Sequence, residues 1–296
     1  MIEIFMLLGV AIIPPLLLFL LTWILDREDK EPILLLGGLF LAGMVSCFPI
    51  GIVELILEFF NFFKEGSYLY TFVDMFLIVA ICEEVGKFLI VFFITWWSKH
   101  FNYRYDAILY SVSVSLGFAT LENVLYVLTT QFEDGSGLSV AILRAFLAVP
   151  GHFTWAIIMG FFYGLAKSYM IKKETKKMIG MFALGLILPI FTHGFYDFCL
   201  TIENPIFIII LFFFVLFIDI ATFVLLHYAS KNDKPIFKIS LLNNWMINQN
   251  LNRVNIMSNN IQSQNNNMVI QSNNIMMQNN ILQKYNMQNN NFNNYN

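Results

Sequence analysis

Charge is what this chain has least of. Asp, Glu, Lys and Arg make up 12% of its 296 residues against 58% hydrophobic ones, and the mean hydropathy is +0.66. A soluble globular chain carries roughly a quarter charged residues, so that class is excluded and the chain reads as an integral membrane protein. A net charge of −3 leaves no basic footprint for nucleic acid, which is excluded as a partner. Cysteine is scarce too: Cys47, Cys82 and Cys199 lie inside apolar stretches at unrelated spacings, which suits neither a disulfide framework nor a thiolate zinc site. No GxSxG and no HExxH occurs, so the hydrolase nucleophile elbow and the ordinary zincin helix are missing as well.

What is present instead is a series of long apolar runs. Crossing a hydrocarbon core of about 30 Å takes about 20 helical residues, and stretches of that length fall at 2–25, 33–60, 72–97, 106–130, 138–165, 178–201 and 206–228. The first has no basic start, carries Glu3 and lacks a small-residue cleavage site, so it reads as a helix bent at Pro14 and Pro15 rather than a signal peptide. Loops 26–32, 98–105, 166–177 and 229–238 hold twelve Lys and Arg, from Arg27 to Lys238, whereas the alternate loops 61–71, 131–137 and 202–205 hold only Lys64. Basic residues collect on the cytoplasmic side, which predicts an N-terminus outside, a C-terminus inside and seven spans. Beyond about residue 239 roughly two residues in five are Asn, without the apolar face that would offset ordering entropy. The expected architecture is an all-α, polytopic transmembrane bundle of about seven helices over residues 1–230, with a disordered Asn-rich cytoplasmic tail at 231–296.

The few charges inside the spans are therefore informative, since each costs about 2.5–3.5 kcal/mol at mid-bilayer. The third span carries Glu83, Glu84 and Lys87 near its centre, the fourth Glu122 and Asn123, the fifth His152, and the sixth His193 and Asp197. Counting from the outer helix ends at ~1.5 Å per residue, these positions fall at one level, ~12–21 Å deep. Glu83 and Lys87 are i,i+4, as are His193 and Asp197, so each pair projects from one helix face. Glu83 and Glu84 lie about 100° apart; one is expected to face a shared site while the other is held by Lys87 or a neighbouring helix. Asp197 is spaced to orient the His193 imidazole.

Burial and a like-charged neighbour both bring a glutamate toward accepting a proton from water. A histidine can then protonate a leaving amine, and Asn123 or the second histidine can stabilise an oxyanion. The chemistry these groups suit is hydrolysis by activated water. Ser111, Ser113 and Ser115 have no evident activating partner and read as helix-packing residues, as do Gly160 and Gly164. Glu54 and Asp74 read as solvated acids near the outer face. Asp219 fits either the same cavity or a bond to a neighbouring helix.

EEVGK at 83–87, GFATLENVLYV at 117–127, GHFTWAIIMGFFYG at 151–164 and HGFYDF at 193–198 resemble, in order and on successive helices, the PrsW family of intramembrane proteases. The resemblance covers about residues 1–230 and implies a multi-helix peptidase of the bacterial cell membrane, related to the CAAX-prenyl endopeptidases. It also implies a membrane-anchored protein substrate, of the anti-sigma-factor type cleaved at site 1 in envelope-stress signalling. Carried over by motif, Glu83, Glu84, His152 and His193 form the catalytic set, with Lys87, Glu122, Asn123 and Asp197 supporting them. The family has been described both as glutamic proteases and as metalloproteases. The spacing here demands no cofactor; a zinc ion, if one is bound, would take its ligands from Glu83, Glu84, His152 and His193. Two rival readings stand beside this one: a CAAX-type prenyl-protein endopeptidase, and a non-catalytic scaffold or proton-coupled transporter, since carboxylates and histidines also build proton relays.

Overall fold

The computed structural model describes residues 2–202, 204–236 and 239–293. Glu203 in the 202–205 loop, Lys238 among the cytoplasmic bases and residues 294–296 of the tail lie outside the described residues.

Helices make up the described chain: α1 (Ile2–Leu25), α2 (Ile33–Glu58), α3 (Tyr68–Phe72), a π-helical stretch (Val73–Val79), α4 (Ala80–Thr95), α5 (Arg104–Glu133), α6 (Gly137–Phe146), α7 (Ala148–Ile171), α8 (Thr175–Thr201), α9 (Pro205–Lys231) and α10 (Ile239–Asn293). Local chemistry sets several of the ends. Ser67 Oγ accepts the Tyr70 N–H at the start of α3, and Asn204 Oδ1 accepts the Ile206 N–H with Pro205 at the first position of α9, side-chain caps for otherwise orphaned donors. Asp106 Oδ2 accepts the N–H groups of Asn102 and Tyr103 at the entry to α5.

Among the described residues, six helical segments are long and apolar enough to cross a membrane: α1, α2, α5, the α6–α7 run, α8 and α9. The seventh expected span, 72–97, differs. It is helical from Tyr68 to Thr95 but passes from α to π and back, and its centre holds Glu83, Glu84 and Lys87, so by composition it cannot face lipid alone. The fifth expected span, 138–165, is two helices meeting at Leu147.

Helix α5 is the hub. Residues 105–120 are buried without interruption, the signature of a helix enclosed on every side, and α1, α2, α4, α6 and α7 all pack on it. Two glycines allow the closest crossing. A Cβ added to Gly43 would lie 2.0 Å from the Val114 carbonyl oxygen, and one added to Gly117 would lie 2.0 Å from that of Phe40. Gly160 and Gly164 set α7 against the first turns of α5 in the same way, their added Cβ atoms falling 2.5 Å from Ile108 Cα and 2.7 Å from the Arg104 oxygen.

The unit extends beyond residue 230. Asp233 Oδ1 accepts the Tyr105 N–H, and the Ile236 N–H donates to the Asn102 oxygen at 2.7 Å. The second unit is α10 alone. It spans Ile239–Asn293, the Asn-rich tail, and side chains 251–278 are all exposed. The exposed side chains at 251–278 bury nothing, so no packing term adds to the helix there.

Candidate active site

Three residues of α4 form the base of the site. At i,i+4 and i,i+3 spacing, Lys87 Nζ lies 2.7 Å from Glu83 Oε2 and 2.9 Å from Glu84 Oε1, and all three side chains are buried. The same ammonium lies 3.2 Å from His152 Nδ1 on α7 and 4.4 Å from the Phe118 ring centre on α5. An ammonium has three donors and no acceptor, so His152 Nδ1 must accept. That fixes the tautomer: His152 Nε2 carries the proton and donates to Glu122 Oε2 at 2.9 Å.

His193 on α8 occupies the other flank. Its Nδ1 is 3.0 Å from Glu84 Oε1 and its Nε2 is 3.0 Å from Asp197 Oδ2, with Glu83 Oε2 at 3.9 Å. Carboxylates only accept, so the ring satisfies both neighbours when both nitrogens carry a proton. The imidazole stacks on the Trp155 indole with centroids 3.8 Å apart and planes 15° apart. Gly194, next in sequence, lets α8 approach the π-helical stretch, where an added Cβ would lie 2.7 Å from the Phe76 ring. On α5, Asn123 Oδ1 accepts from Arg144 Nε at 2.7 Å, and Arg144 Nη2 is 2.8 Å from Glu122 Oε2.

These groups surround one cavity of about 440 Å³. Glu83, Glu122, His152, His193 and Asp197 line it, together with Arg144, Trp155 and Tyr196. Glu84, Lys87 and Asn123 are not among the lining residues; they stand behind the wall, at 0%, 1% and 1% exposure. The eight residues singled out in the sequence thus converge from α4, α5, α7 and α8. Arg144, which the sequence offers as a salt-bridge partner for Glu83 and Glu84, pairs with Glu122 instead. Trp155 carried no signal beyond lying three residues after His152, on the same helix face. Glu54, expected to be solvated, lines the cavity with its Oε1 buried and unbonded, and Asp74 lines an adjoining groove. Asp219 instead accepts a hydrogen bond from Thr154 Oγ1 on α7 at 2.8 Å. Ser115 has a packing role, donating to the His152 carbonyl oxygen at 2.9 Å.

Among the described residues, Glu83, Glu84 and His193 offer donor atoms all within 4.8 Å of one another, and Glu84 Oε2 is buried without a partner. Two carboxylates and an imidazole are a suitable set for a divalent ion, with the Lys87 ammonium competing for the same oxygens. His152 is outside this group because its two nitrogens face Lys87 and Glu122.

Comparison with known proteins agrees with this architecture. Residues 31–223 match the family model described as PrsW family intramembrane metalloprotease. The chain is 36% identical over 196 residues to the protein named Protease PrsW from Geobacillus kaustophilus, covering 66% of this chain and 80% of that one. Its namesake from Bacillus subtilis is 36% identical over 197 residues (67% and 84%), and that from Clostridioides difficile 35% over 208 (70% and 84%). No solved structure matches the chain. A family match over most of the bundle, joined to a cavity walled by carboxylates and imidazoles, identifies the chain as an integral membrane peptidase that belongs to the PrsW family.

Proposed function

We propose that the chain hydrolyses a peptide bond of a membrane-anchored protein, of the anti-sigma-factor-like type cut at site 1, using a water activated by Glu83. The observation that carries this reading is the asymmetry of the paired glutamates: Glu83 lines the cavity, whereas Glu84 is fully buried behind it and bonded to Lys87 and His193. Glu83 is then the general base, and Glu84 holds His193. Lys87, between the two carboxylates, keeps them close without leaving two uncompensated charges. His193, flanked by acceptors on both nitrogens, supplies the proton to the departing amine. His152, with its tautomer fixed by Lys87 and Glu122, shapes the facing wall. A zinc ion held by Glu83, Glu84 and His193 would, when bound, acidify water and polarise the scissile carbonyl.

The substrate enters as an unwound segment, because a helical peptide keeps its carbonyls in internal hydrogen bonds. The loop charges support an N-terminus outside and a C-terminus in the bacterial cytoplasm. The direct test is the Glu83→Gln/Glu84→Gln double variant, followed by cleavage of a co-expressed single-span reporter in membranes. Cleavage should fall below one hundredth of wild type with the protein still inserted. Full cleavage by the double variant would rule out the proposed mechanism.

A further inference from the structure

A hydrolytic site needs donors for the charge that develops on the scissile carbonyl oxygen, and the hydrogen bonds around this cavity restrict which cation can supply them. Lys87 has three N–H bonds and three partners: Glu83, Glu84 and His152. His152 Nε2–H is engaged by Glu122, and the two nitrogens of His193 by Glu84 and Asp197. Asn123, an expected oxyanion stabiliser, accepts from Arg144 Nε and does not line the cavity.

Arg144 differs. It lines the cavity, and its guanidinium is held in three ways: Nε on Asn123, Nη2 2.8 Å from Glu122 Oε2, and the plane 4.2 Å over the Tyr126 ring. Nη2 lies against that carboxylate and is itself buried, so the donors left for the cavity are those on Nη1, which has no protein partner among the described residues. A guanidinium carries five donors in a rigid fork, and the bond to Asn123 engages only the one on Nε.

We propose that Arg144 is a catalytic residue that donates hydrogen bonds to the oxyanion of the tetrahedral intermediate. As Glu83 withdraws a proton from water, the new C–O bond forms and the π pair of the scissile carbonyl moves onto its oxygen. Arg144 binds that oxygen without transferring a proton. On collapse the pair returns, the C–N bond breaks, and the nitrogen leaves with a proton from His193. The inference rests on the hydrolytic reading above.

The test uses the full chain in nanodiscs with a single-span reporter that the wild type cleaves. Arg144→Gln should lower kcat about a hundredfold or more with KM changed less than about threefold, because the contact forms only after the ground state. Arg144→Lys, which keeps a charge beside Glu122 and hence the fold, should lose at least about tenfold in kcat, since a point charge lacks the fork. The double variant Glu122→Gln/Arg144→Gln separates the alternatives. Its kcat should stay as low as that of Arg144→Gln, whereas recovery to wild type would show that Arg144 only balances Glu122. Wild-type kcat in Arg144→Lys, or a loss confined to KM, would also overturn the proposal. Failure of the hydrolytic reading is seen separately, as full cleavage by Glu83→Gln/Glu84→Gln.

Discussion

At the scale of single residues, the site depends on acceptors placed so that donors have one direction in which to point. Asp197 shows it best: it touches His193 Nε2 across one helical turn and is itself part-exposed on the cavity wall. Asp197→Asn keeps the shape and removes the charge. We expect cleavage to fall by about 10–100-fold, the usual effect of losing a carboxylate behind a working imidazole, with the detergent melting temperature nearly unchanged; activity assays and a melting curve on one preparation decide it. The acids and histidines of the site were legible in the sequence because charge inside an apolar run is expensive and i,i+4 spacing declares a shared face. Arg144 and Trp155 were not. A base in AILRAF reads as a structural salt-bridge partner for Glu83 and Glu84, and a tryptophan among aromatics reads as an anchor. Only the fold brings these two against Glu122 and His193.

At the scale of elements, the helices were legible nearly to their ends, since apolar length is the whole signal. The π-helical stretch Val73–Val79 was not, since apolar length does not distinguish π from α; the break at Leu147 did carry a signal that apolar length passes over, in Pro150, which follows it and lacks the N–H for a bond back to Phe146. Tertiary contact decides which glycines matter. Gly43 and Gly37 sit six residues apart on α2, yet an added Cβ collides with the Val114 backbone at the first and meets nothing within 4 Å at the second. Gly43→Val should therefore destabilise by about 3 kcal/mol or more, since the obstacle is backbone and cannot rotate away. Gly37→Ala should be neutral. Thermal unfolding of the two variants in one detergent measures the difference.

At the scale of the whole molecule, the end of the bundle where residues 26–31 meet 102–106 and 232–236 is rich in buried acid. Burial pushes the Glu31 carboxyl up to about 7 and that of Asp233 up to about 6. Both values exceed those of the unfolded chain, about 4.3 and 3.9, so the folded state holds protons that the unfolded state releases. This contribution to stability is full below about pH 4 and is lost as pH rises through 7. Glu31→Gln should leave the melting temperature nearly unchanged at about pH 4 and raise it relative to wild type at about pH 8. An equal shift at both would show that Glu31 does not titrate in this range. The enclosure of α5 bears on biogenesis. It is the least apolar of the six crossing segments and the most completely surrounded, so during synthesis it enters the bilayer before α7 exists to cover it. Until α7 emerges, its serines and the Glu122–Asn123 pair face either lipid or the insertion machinery. A ribosome halted between these two helices would hold a chain that quality control can recognise, and the peptidase site can form only after that interval has closed.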